Sequence, residues 1–235
     1  MSNKEVARFF RHSTIYAIGN ALNRVGAFLL LPIYTRHLTT GEYGALETFY
    51  LVSAVVSGVL GVGIAHATLR FYFDYEEESD RRMVVSTNLI GSMVIAGSGV
   101  AILLPFVTWG EHILFSGQKF GYAMHWMLAT IVFELSTQVC LAYLRAVERS
   151  TLFIVVSLAK LLVQVAANSV ALLLLDAGVE GVLAGNCLTV ALGWLVLSVI
   201  TVRACGTRFQ WSKMMPVLRY SSPFLLTTIV GVASA

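Results

Sequence analysis

The feature that most constrains this chain is a succession of apolar runs, each long enough to cross a lipid bilayer. A hydrocarbon core of about 30 Å is crossed by about 20 helical residues. The first run, Ser13–Leu38, exceeds that length and accommodates some tilt. Five more follow, at about Gly44–Phe71, Val84–Trp109, Tyr122–Leu144, Leu152–Leu175 and Val182–Val202. Only 12% of the residues are charged and 57% are hydrophobic, whereas a soluble domain carries about 25% charged residues. The expected fold class is therefore an all-α membrane protein with six complete transmembrane helices. A seventh run opens at Pro223 and stops at Ala235, too soon to span. The sequence is thus expected to be cut inside a seventh helix of a longer protein. Residues 1–202 would form a six-helix lobe, 203–222 a basic cytoplasmic linker, and 223–235 the start of the next lobe. The first run is also too long for the apolar core of a cleavable signal peptide.

Orientation follows from the lysines and arginines between the runs. If the N-terminus is cytoplasmic, the inner segments hold twelve of them and the outer segments two, Arg36 and Lys119. The expectation is a multi-pass protein of the cytoplasmic (inner) membrane with its N-terminus inside.

Two cations, Arg24 and Lys160, fall in the interior of the runs, away from their ends. A charged side chain at the centre of a membrane helix costs about 2.5–3.5 kcal/mol on insertion scales, so each needs a partner or a purpose. Tyr16, Asn20 and Arg24 recur every four residues, with Asn23 beside them. Residues at that spacing share a helix face. Ser157, Lys160, Gln164 and Asn168 repeat the pattern in the fifth run, and Glu134 and Gln138 in the fourth. Two readings follow. In one, these stripes line a water-filled cavity in which Arg24 and Lys160 bind an anionic ligand. In the other, Lys160 and Glu134 form an internal salt bridge completed by interhelical amide hydrogen bonds. The planar guanidinium of Arg24 suits phosphate, to which it donates two parallel hydrogen bonds. Glu134 is the candidate ion-coupling group. Ser53, Ser57, Gly61 and Ala65, and likewise Gly181, Gly185, Thr189 and Gly193, form small-residue stripes that let helices approach closely.

Other chemistry is not supported. Cys140, Cys187 and Cys205 have no metal-ligand spacing, and the five histidines form no paired motif. The acidic run Asp74–Asp80 abuts Arg81 and Arg82 and reads as a solvated loop. No metal, cofactor, catalytic residue or nucleic-acid partner is expected, and the chain is not read as an enzyme.

The turn Thr39-Thr40-Gly41-Glu42-Tyr43-Gly44 after Arg36-His37-Leu38 resembles the start of polysaccharide biosynthesis proteins. These are oligosaccharide flippases of the multidrug/oligosaccharidyl-lipid/polysaccharide exporter superfamily. Leu60-Gly61-Val62-Gly63 and Leu69-Arg70-Phe71-Tyr72 are similar to that family's helix-two exit. Leu218 to Pro223 resembles the linker to its second lobe, with Ser222 where glycine is commoner. The resemblance implies the N-terminal lobe of a two-lobed flippase built from parallel repeats around a central cavity. It also implies a polyprenyl-diphosphate-linked oligosaccharide as cargo, moved by alternating access, with Arg24 placed to hold the diphosphate. Membrane lipids and other members of a polysaccharide assembly complex would be its partners. Two alternatives remain: a cation-coupled multidrug exporter, which needs intramembrane carboxylates, and a membrane-embedded glycosyltransferase or polymerase, which needs metal-binding carboxylates.

Overall fold

The computed structural model describes residues 28–61, 63–115 and 120–221. Tyr16, Asn20, Asn23 and Arg24, and the seventh run from Pro223, lie outside the described residues. Among the described residues the chain is helical throughout, with no strand. Residues 28–37 are helical, followed by α1 (Thr40–Gly61), α2 (Ile64–Asp74) and α3 (Glu78–Leu103). Then come a 3-10 turn (Leu104–Phe106), α4 (Val107–Leu114), α5 (Ala123–Ala146), α6 (Ser150–Leu173) and α7 (Gly178–Cys205). Residues 211–221 form a last helical segment. Five stretches are long and apolar enough to cross a membrane: Thr40–Asp74, Glu78–Leu114, Ala123–Ala146, Ser150–Leu173 and Gly178–Cys205. They correspond to expected spans two to six and establish a multi-pass, all-α membrane protein.

Local sequence explains the boundaries. The Thr39-to-Glu42 turn is a capping box: Glu42 Oε2 accepts from the Thr39 amide at 2.8 Å, and Thr39 Oγ1 accepts from the Glu42 amide at 3.3 Å. The second span therefore starts at Thr40, four residues earlier than its hydropathy suggests. It is also broken. Gly63 has φ 66°, the left-handed region that costs other residues about 1–2 kcal/mol, and α2 restarts at Ile64. Pro105 converts the end of α3 into a 3-10 turn before α4. Gly206, at φ 81°, turns the chain out of α7.

Two apolar clusters hold the bundle. One joins the 28–37 segment, α1, α5 and α7 through Leu30, Leu46, Phe49, Ile131 and Val182. Tilted and edge-to-face rings seal its end, with Phe49 and Phe115 centroids 4.6 Å apart and Phe115 and Phe120 4.9 Å apart. The other joins α2, α3, α5 and α7 to the 211–221 segment through Ile64, Leu89, Val139, Leu197 and Met214. The expected linker is thus partly helical and packed onto the lobe. Helix α7 lies between α5 and α6, packing more closely on each than they do on one another.

Candidate functional site

Lys160, Gln164 and Asn168 of α6 stand four apart and lie against the small-residue face of α7. The antiparallel register pairs Asn168 with Gly185 and Lys160 with Gly193. A Cβ at Gly185 would lie 2.5 Å from Asn168 Oδ1, and one at Gly193 would lie 3.0 Å from Lys160 Cδ. The glycine stripe therefore does more than bring two backbones together. It makes room for long polar side chains to run across α7.

Asn168 is fully buried and sits at the closed end of this face. Its Nδ2 donates to the Tyr34 hydroxyl at 2.7 Å and to Asn186 Oδ1 at 3.0 Å. Gln164 Nε2 donates to the same Asn186 oxygen at 3.3 Å, and Asn186 Nδ2 donates to the Tyr50 hydroxyl at 2.9 Å. Four helices are tied together by these bonds: the 28–37 segment, α1, α6 and α7. Interhelical hydrogen bonds in membranes contribute about 0.6 kcal/mol each on average, so their main effect is to fix register. Asn168 Oδ1 has no partner among the described residues.

At the other end of the stripe the face opens. Lys160 and Glu134 retain 21% and 32% of their side-chain exposure, and Lys160 Nζ lies 3.6 Å from Glu134 Oε2. That exceeds the 2.7–2.9 Å of a well-formed charged hydrogen bond. The tighter partner of Glu134 is Gln138, whose Nε2 donates to Oε1 at 2.7 Å. The ammonium, with three donors, is thus only loosely committed to the carboxylate. Gln138 also lines a cleft of about 290 Å³ with Ser57, Gly61, Gly63, His66 and Ser92, beside the break between α1 and α2. This face thus presents one cation, Lys160, and the amides of Gln138 and Gln164. Among the described residues no cluster of histidine, cysteine or carboxylate side chains could hold a metal ion, and the three cysteines are unpaired thiols.

The family model described as "Polysaccharide biosynthesis protein" matches residues 9–235. The chain belongs to the polysaccharide biosynthesis protein family. A segment of 98 residues is 28% identical to a Haemophilus influenzae (strain Rd) protein named "Lsg locus putative protein 1", covering 40% of this chain and 24% of that relative. The fold is that of MATE. A crystal structure of MATE in complex with Br-NRF superposes with a TM-score of 0.73 at 16% identity, over 95% of this chain and 56% of that one. Another, in complex with MaD3S, gives 0.69 at 17% identity, over 94% and 53%. The chain therefore spans little more than half of these solved structures.

Within this family member, the residues expected from sequence divide cleanly. Lys160, Gln164 and Asn168 do share one face, and Glu134 reaches them. The salt-bridge reading of Lys160 with Glu134, from spans four and five, matches the geometry, and the Lys160 stem passes over Gly193 of span six on its way. Tyr34, Tyr50 and Asn186 were missed. Asn186 had a signal in plain view: an amide in the sixth span, directly after Gly185 of the glycine stripe.

Proposed function

We propose that the intact protein is a membrane flippase that moves a polyprenyl-diphosphate-linked oligosaccharide out of the cytoplasmic leaflet for cell-surface polysaccharide assembly. Two lobes would rock about a cavity, and residues 1–202 would supply one of them, with the N-terminus cytoplasmic. The observation that carries this reading is Lys160, a cation on a membrane-length helix, held loosely at 3.6 Å from Glu134. An intramembrane ionisable residue marks a substrate or ion path. Gln164 continues that face toward the Asn168–Asn186 network and offers amide groups to sugar hydroxyls.

Arg24 is assigned to the diphosphate, with Tyr16, Asn20 and Asn23 beside it in sequence. Lys160 is a second cationic contact, and Glu134 is the group whose protonation or cation binding releases it. Glu134 also favours a second reading, a cation-coupled exporter of the same superfamily. The two differ in cargo charge. Translocation of a lipid-linked oligosaccharide would be measured for Arg24→Ala, Arg24→Lys and Lys160→Gln in the full-length protein at matched expression. Loss in the alanine and glutamine variants, with partial retention in Arg24→Lys, is expected. Wild-type flux in Arg24→Ala and Lys160→Gln would overturn the assignment.

A further inference from the structure

The segment between α7 and the chain's last described residue is fixed to the first part of α3 and the loop before it by polar contacts. Ser86 Oγ donates to the Arg208 carbonyl at 2.7 Å, and the Gln210 amide donates to Thr87 Oγ1 at 3.2 Å. Lys213 Nζ lies 3.1 Å from Asp80 and 3.7 Å from the centre of the Tyr75 ring. Met214 and Val217 are buried. Gly91 permits this close docking, because a Cβ there would lie 2.6 Å from Met214 Cε.

The docked segment nevertheless leaves a groove against α3. It has a volume of about 370 Å³ and only apolar lining, with Ile90 and Ile95 on one wall and Leu218 on the other. That volume is at the lower end for ligand pockets. Its outer lip, Val94, Phe209 and Trp211, is 63%, 45% and 58% exposed. The wall formed by α3 belongs to a membrane-length stretch. An exposed Trp beside such a stretch marks the lipid headgroup boundary.

Charge indicates what fits. Residues 203–221 contain Arg203, Arg208, Lys213 and Arg219 and no carboxylate. Three of the five carboxylates in the neighbouring acidic run are paired with cations, Asp74 with Arg70, Glu78 with Arg82 and Asp80 with Lys213. Arg208 is exposed next to Phe209 at the lip. We propose that this groove holds one acyl chain of an anionic phospholipid, whose phosphate rests on Arg208. The bound lipid would clamp the segment at the membrane surface. A guanidinium suits phosphate, and a basic pocket at the membrane boundary suits anionic headgroups.

Native mass spectrometry of the 235-residue chain in detergent would test this, with phosphatidylglycerol or phosphatidylcholine titrated in. Tighter binding of phosphatidylglycerol is expected. Arg208→Gln should weaken it about fivefold and weaken phosphatidylcholine, whose phosphate charge is offset by its choline, by less. Val94→Trp, at an exposed position, should fill the groove and weaken both lipids. Arg149→Gln, an exposed arginine elsewhere, should change neither. Equal affinity for the two lipids, equal effects of the two arginine variants, or an unaffected Val94→Trp protein would each overturn the proposal, as would a groove occupied by another part of the protein and binding no lipid.

Discussion

Gly185→Ala tests whether the glycine stripe exists to admit Asn168. The added methyl would lie 2.5 Å from Asn168 Oδ1 and 3.4 Å from Ala167 Cβ. Asn168 is fully buried, so it cannot swing into solvent. Overpacking of this kind costs about 1–3 kcal/mol. Displacing the amide by several tenths of an ångström also weakens its bonds to Tyr34 and Asn186, at about 0.6 kcal/mol each. Alanine returns up to ~1 kcal/mol through helix propensity. The net expectation is a loss of about 1–3 kcal/mol. Denaturant titration of the chain in detergent, followed by circular dichroism, would measure it. Gly97→Ala is the matched control, because nothing lies within 4 Å of a Cβ at Gly97 in α3; it should be neutral or stabilising by up to ~1 kcal/mol. Adding Asn168→Ala to Gly185→Ala removes the atom that clashes. The double variant should then be more stable than the sum of the single effects predicts, by about 1 kcal/mol or more. Additive effects, or a Gly185→Ala variant as stable as Gly97→Ala, would refute the reasoning.

Three further outcomes are expected. Lys160→Gln and Glu134→Gln should show favourable coupling in a double-mutant cycle of stability, at or below about 1 kcal/mol because both groups are part-exposed; zero coupling would mean that the pair is only a proximity. Gly63→Ala, at φ 66°, should lower stability by about 1–2 kcal/mol, read as a lowered thermal midpoint. Thr39→Ala should cost about 1 kcal/mol by removing the cap of α1, and local hydrogen exchange should rise in its first turn; unchanged exchange would argue against the capping box as the start of the helix.

The sequence by itself determined that this is a helical membrane protein, because spanning length and apolar composition are local properties and lipid leaves the backbone few alternatives. It also placed Lys160, Gln164 and Asn168 on one face, since helical periodicity needs no partner to be read. Family membership was visible in short turns such as Thr39 to Gly44 for the same reason: a capping box is written in four consecutive residues. What only the tertiary structure decided is who meets whom. The antiparallel register of α6 and α7 sets Gly193 under Lys160 and Gly185 under Asn168. Without it, the glycines read as ordinary packing, and which polar side chain each one admits is invisible. Tyr34 and Tyr50 meet amides 134 and 136 residues away, and hydropathy carries no information on which polar atoms will face one another. The docking of residues 211–221 onto α3 likewise depends on Gly91 being small where Met214 arrives, a coincidence of two surfaces that neither segment encodes alone.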